Sequence, residues 1–191
     1  MRKLAGPARI DPVVAAIVEQ QPTEATVSYA CGRWVLTMTR ELPHAVERVW
    51  SKLTEPEELR KWSPVVPDRP LTSLGPATAR EHPDSEAVDA EVLVSDPPHE
   101  LAHRWGLHVL RWTLAPTESG CRLTLEHTFD EPGERGSFAA GWHLCLAVLT
   151  ALLEGHEVER VVGNRACDYG WRSLEARYGA GLRLAPERNT P

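Results

Sequence analysis

Between Ser137 and Gly155 the chain carries one uninterrupted helical pattern, Ser137-Phe138-Ala139-Ala140-Gly141-Trp142-His143-Leu144-Cys145-Leu146-Ala147-Val148-Leu149-Thr150-Ala151-Leu152-Leu153-Glu154-Gly155. Phe138, Gly141/Trp142, Cys145/Leu146, Leu149 and Leu152/Leu153 recur every three or four residues, the spacing that gathers side chains on one face of an α-helix. Ser137 offers a hydroxyl that can accept from an unpaired N–H of the first turn. Gly155 suits the left-handed residue just past a helix end. The opposite flank, mostly Ala, Thr, His and Glu, is bland rather than charged. Burying about six such apolar side chains contributes on the order of 10–15 kcal/mol gross. That is comparable with the net stability of a whole domain, before ordering entropy is subtracted. A helix of this kind requires a broad apolar surface, and the preceding chain supplies one.

That surface reads as an antiparallel meander. Trp34, Leu36 and Met38 alternate with Val35, Thr37 and Thr39, which predicts a strand over 34–42 ended by Pro43. Further strands are predicted over 87–95, 100–105, 108–114 and 121–129, with turns at Asp96-Pro97-Pro98-His99 and Pro116–Gly120. The clearest places Cys121, Leu123, Leu125, His127 and Phe129 on one face against Arg122, Thr124, Glu126 and Thr128 on the other. Between the first strand and the meander lie a helix over 44–53 and a second short one ending near Trp62. Thr54-Glu55-Pro56-Glu57 reads as a capping box that launches the second. Residues 63–84 hold five prolines and read as loops with at most short edge strands. Asp11-Pro12 starts a short helix over 13–20, and Asp168 caps a last one over 169–178. Residues 1–30 read as a partly ordered N-terminal extension, 31–182 as a single domain and 183–191 as a frayed tail.

Composition narrows the partners. The chain has 191 residues, is 42% hydrophobic and 25% charged, and has a net charge of −6 with no basic tract, so capture of nucleic acid is not expected. No membrane span is expected either, because Leu144–Leu153 is too short an apolar run. The basic start at Met1–Pro7 has no apolar stretch behind it and does not make a signal peptide. The four cysteines are scattered without a C-x-x-C, so reduced thiols and a cytoplasmic location are expected. Seven tryptophans against two phenylalanines point to large aromatic surfaces with a polar N–H handle.

No constellation fixes a reaction. There is no H-E-x-x-H, no phosphate-cradling glycine loop and no G-x-S-x-G elbow, so neither a metal nor a cofactor is expected. Cys145 sits amid Leu and Trp, where a thiol is inert. His127 is the one polar residue on an apolar strand face, either a satisfied core histidine or a polar anchor inside a pocket. Trp62, Trp105, Trp112 and Trp142 are core residues first and ligand walls second. Arg80, Glu91 and Arg111 read most simply as solvated strand charges.

The order β–α–α, meander, long helix resembles the START-like SRPBCC superfamily, the one that includes the birch-pollen allergens. Within it the chain is similar to the bacterial branch named after the activator of heat-shock protein 90 ATPase. The residues that carry this are Arg40–Trp50 continued by Leu53–Trp62, with its Val-Trp and Thr-x-Pro-Glu elements; Asp96-Pro97-Pro98 with Leu101 and Trp105; Gly120–His127; Ala140-Gly141-Trp142; and Trp171, Leu174 and Tyr178. The resemblance implies an α+β helix-grip fold, a curved antiparallel sheet wrapped around a long C-terminal helix with a cavity between them. It also implies binding of lipophilic molecules, some members being polyketide cyclases or aromatases. The expectation is therefore a binder of a small hydrophobic or aromatic molecule, with Trp62, Trp105, Trp112, His127, Phe129, Trp142, Cys145, Leu146 and Leu149 as wall residues. The alternatives are a cyclase- or hydrolase-like enzyme in the same cavity, with His127 as acid/base assisted by Arg80 or Glu91, and a chaperone-associated or other protein-interaction module. A homodimer is compatible with the chain, but no residue argues for it.

Overall fold

The computed structural model describes residues 10–21 and 23–182. In chain order the elements are α1 (Pro12–Gln20), β1 (Glu24–Ala30), β2 (Arg33–Leu42), α2 (Val46–Thr54), α3 (Pro56–Leu59), β3 (Val66–Pro67), β4 (Thr78–Arg80), β5 (Val88–Asp89), β6 (Val92–Asp96), β7 (Glu100–Trp105), β8 (His108–Thr117), β9 (Gly120–Phe129), α4 (Arg135–Leu153) and α5 (Trp171–Gly181). Two 3-10 segments, Pro132–Glu134 and Gly163–Tyr169, precede α4 and α5. The main sheet is antiparallel throughout, in the order β1-β2-β9-β8-β7-β6. A second sheet, β3-β4-β5, is built from the proline-rich stretch. This is the α+β helix-grip arrangement: a large sheet with one long C-terminal helix against it.

Period two builds the inner face. On β9 Cys121, Leu123, Leu125, His127 and Phe129 are all buried, while Arg122 points out to solvent beside Glu41 of β2. Leu110, Trp112 and Leu114 on β8, and Leu36 and Met38 on β2, are buried on the same face. α4 lies over them. Its bland flank is not solvated: His143 and Thr150 are buried as well, because α1 and α5 cover that side. His143 contacts both covering helices, through Val18 O of α1 and the Tyr178 hydroxyl of α5. Within Pro132–Leu153 an 18-residue window has a mean hydropathy of 1.6, so this helix is long and apolar enough to cross a membrane although Leu144–Leu153 alone is too short. Here 78% of its apolar window is buried inside the protein, as a core helix requires.

Several local expectations are corrected. α4 starts two residues before Ser137, whose hydroxyl bonds Glu175 of α5 instead of capping the helix. Gly155 does take the left-handed conformation past the helix end, with φ +91°. Thr54 is the last residue of α2 and donates to Trp50 O at 3.0 Å, so no capping box forms; Glu55 precedes α3 without a side-chain cap. The last helix begins at Trp171 rather than Tyr169, after the 3-10 segment that ends at left-handed Gly170. The predicted strand over 87–95 is split into β5 and β6.

The N-terminal residues belong to the fold more fully than an extension would. Asp11 Oδ1 accepts from Val13 N at 2.9 Å and Val14 N at 3.3 Å, the predicted cap of α1. β1 is an edge strand paired along its whole length with β2. Arg40 of β2 is buried where these pieces meet. It donates to Thr23 Oγ1 at 2.6 Å and Thr150 Oγ1 at 3.1 Å, and burial lowers its pKa to about 10. Residues 1–9 and the tail over 183–191 lie outside the described residues.

Candidate functional site

The register of the sheet places His127 opposite Leu36 on β2 and Leu110 on β8, at the middle of the sheet and under α4. Its ring packs 4.4 Å from Phe138, 5.7 Å from Trp105 and 5.7 Å from Phe129, centroid to centroid. Trp142 Nε1 donates to His127 Nδ1 at 3.1 Å. An indole N–H can only donate, so a neutral His127 must carry its own proton on Nε2. That proton points at His108 Nδ1, 2.8 Å away, and His108 is left with its proton on Nε2. The result is a directed chain, Trp142 to His127 to His108, running from the core to a half-buried ring. Burial holds the His127 pKa down at about 3, and the charges of His108 and Arg33 push the same way.

Other indoles fill the rest of the space between the sheet and the first half of α4. Trp112 stands edge-on to Trp62 at 5.8 Å and to Trp142 at 5.4 Å. Trp112 Nε1 donates to His103 Nε2 at 3.3 Å, and Trp62 Nε1 donates to Lys52 O at 2.9 Å. The indoles of Trp62, Trp112 and Trp142 therefore have their N–H groups satisfied, as a low-dielectric core demands.

A cavity of about 320 Å³ opens beside this cluster rather than inside it. Ser137, Phe138, Gly141, Trp142 and Cys145 give one wall, because residues three and four apart share a helix face. Trp105, at the end of β7, also lines the cavity. The opposite wall is Val161, Val162, Gly163, Ala166, Cys167 and Trp171, with Pro64 and Glu81 closing the rim. The Ser137 hydroxyl is occupied by Glu175, so the lining is apolar except at Glu81. Arg160 ties the surrounding loops together: Nη1 donates to Ser63 O at 3.0 Å, and Nη2 donates to Glu81 O at 2.7 Å and His82 Nδ1 at 3.2 Å. Burial pushes the Cys145 thiol up to about 12, with Arg160 opposing and Glu81 adding, so this sulfur is a wall atom and not a nucleophile.

Of the residues singled out in the sequence, Trp105, Trp142 and Cys145 line the cavity. Trp62, Trp112, His127 and Phe129 pack behind it, and Leu146 and Leu149 are buried further along α4. Neither proposed assistant hydrogen-bonds His127. Arg80 is exposed on β4 and bonds Ser85 O, and Glu91 pairs with Arg104 at 3.3 Å. All four cysteines are free, and among the described residues no cluster of three or more His, Cys, Asp or Glu could hold a metal. Phe138 and Gly141 lie on the helix stripe that was legible from spacing. Glu81 and the Val161–Trp171 wall carried no local signal; only the tertiary fold brings them to Trp142.

Residues 43–154 match the family described as Activator of Hsp90 ATPase homolog 1-like protein. No curated protein matches the chain. Among solved structures the chain is similar to the conserved protein of unknown function EF2215 from Enterococcus faecalis, with 16% identity, 87% of this chain and 92% of that one covered, and a TM-score of 0.66. It is also similar to CalU16 from Micromonospora echinospora, at 15% identity over 84% of this chain and 97% of that one, TM-score 0.62. A third likeness is to DynU16, described as a putative protein in the dynemicin biosynthetic locus, at 23% identity over 63% of this chain and 47% of that one, TM-score 0.57. At such identities these are likenesses of fold. The family match spans more than half of the sequence, from the end of β2 through the meander to the end of α4, and the chain belongs to the family of Activator of Hsp90 ATPase homolog 1-like proteins.

Proposed function

We propose that this protein binds a small, largely apolar molecule of one or two rings in the cavity between Trp105, the first half of α4 and the Val161–Trp171 segment. The observation that carries this reading is the cavity lining: three indoles and a phenyl ring around about 320 Å³, with almost no polar group. That volume equals roughly ten water molecules at ~30 Å³ each, which suits a compact aromatic or alicyclic body. Its rear wall is preorganised, since the Trp142 indole is fixed by its bond to His127 and cannot swing to fill the space. The fold agrees, because a helix gripped by a sheet leaves room at the helix flank without breaking a backbone ladder.

Gly141 supplies the test. It lines the cavity, and a Cβ built on it meets no atom within 4 Å. A leucine there would project into open space, occupy the ligand volume and raise the helix propensity of α4 by about 1 kcal/mol. Intrinsic tryptophan fluorescence titrated with naphthalene, indole and camphor should show a saturable change in the natural protein. Gly141→Leu should abolish it while raising Tm by about 2–4 °C. The reading is wrong if no compound gives a saturable change, or if Gly141→Leu binds as well as the natural protein.

A further inference from the structure

The cavity rim carries a carboxylate that no donor among the described residues hydrogen-bonds. Glu81 Oε1 lies 3.9 Å from where a Cβ on Gly163 would sit, so the charged group itself, and not just the backbone, reaches the Gly163 side of the cavity. Among the described residues its nearest basic atom is His82 Nε2 at 3.8 Å, beyond hydrogen-bond reach. Arg160 lies near enough for its charge to be felt by Glu81, but none of the neighbouring cations hydrogen-bonds the carboxylate. Arg160 directs its N–H groups at Ser63 O, Glu81 O and His82 Nδ1. Arg60 meets Glu57 through both carboxylate oxygens at 3.0 Å, and Arg80 bonds Ser85 O.

Inside the rim stand the rings of Trp105, Phe138, Trp142 and Trp171. Aromatic faces carry a negative quadrupole and attract a cation within about 6 Å. A half-buried carboxylate beside these rings attracts a protonated amine and repels a carboxylate. Because Glu81 is only half-buried, an ammonium can pair with it while keeping part of its hydration, and so avoids the penalty of a fully buried ion pair. We infer that the cavity selects a hydrophobic amine, an aryl- or alkyl-substituted ammonium whose apolar body enters between the indoles while its nitrogen stays at Glu81. This rests on the cavity being a ligand site.

The test uses three probes of nearly equal size: phenethylamine, phenethyl alcohol and phenylacetate, titrated by calorimetry at neutral pH against the natural protein and Glu81→Gln. The expected result is the amine binding about tenfold more tightly than the alcohol, the scale of a partly desolvated ion pair with a ring contact, and the carboxylate more weakly than either. In Glu81→Gln the amine should fall to within about twofold of the alcohol. An alcohol that equals the amine in the natural protein, or an amine advantage that survives in Glu81→Gln, overturns the inference and leaves the cavity standing. Absence of binding by all three overturns both.

Discussion

Each ring nitrogen of His127 faces a partner whose chemistry fixes its role: the Trp142 indole can only give a proton to Nδ1, and His108 Nδ1 takes one from Nε2. A side chain that fills the same space without those two functions leaves a buried N–H and a half-buried ring nitrogen unanswered. His127→Leu should therefore destabilise the protein by about 2–4 kcal/mol, the sum of two unmade bonds less the gain from an apolar replacement. His127→Gln keeps an acceptor for the indole and a donor for His108, and should cost no more than about half as much. Urea unfolding of the two variants checks this; equal losses would mean that volume, not hydrogen-bond direction, is what the core requires. Strand alternation was enough to put His127 inward among Leu123, Leu125 and Phe129. Its two partners were not readable, because one comes from the helix and the other from the turn end of β8, and residue spacing along β9 is silent about both.

At the scale of elements, α4 and α5 approach so closely at one point that no side chain fits between them. A Cβ on Gly136 would lie 2.9 Å from Glu175 O and 3.2 Å from Gly179 Cα, both backbone atoms that cannot turn aside. Gly-to-Ala changes inside helices ordinarily stabilise by about 1 kcal/mol. Here the sign should reverse, with Gly136→Ala costing about 1–3 kcal/mol by overpacking and loosening α5 first. Hydrogen exchange of the α5 amides, compared between the natural protein and Gly136→Ala, would show this as faster exchange in α5 with the β8–β9 ladder unchanged. The helix itself was legible from its period, but its all-round burial was not. The bland flank with His143 and Thr150 reads as solvent-facing until α1 and α5 are laid over it. β1 escaped notice for a related reason: it is an edge strand with Val27 its only fully buried residue, so burial imprints little on its sequence.

Across the whole molecule one device recurs in three separate places. His103, His127 and His143 each sit between an aromatic donor and an acceptor: Trp112 and Arg104 O, Trp142 and His108, Tyr178 and Val18 O. A carbonyl can only accept and an indole can only donate, so each ring is held as one neutral tautomer. A second proton would face the indole N–H at His103 and His127 and break that bond, whereas at His143 it would meet the Tyr178 hydroxyl, which can turn to accept, and burial is the main cost. Burial lowers the three pKa values from an ordinary 6.5 to about 4, 3 and 4. The unfolded chain therefore binds protons below pH 6.5 that the folded chain refuses until about pH 4. Stability from these groups is complete above the unfolded value and drains away as pH falls through that window. At pH 5, still above the range of ordinary carboxylates, each ring should cost about 2 kcal/mol and the three together about 6, a large share of a domain's net stability. The urea midpoint should accordingly drop by about 3 M between pH 8 and pH 5. His127→Gln, which cannot titrate, should recover about a third of that drop. A midpoint that holds steady over this range would mean the rings are protonated in the folded protein, and the directed Trp142–His127–His108 chain could not then exist as drawn from the geometry.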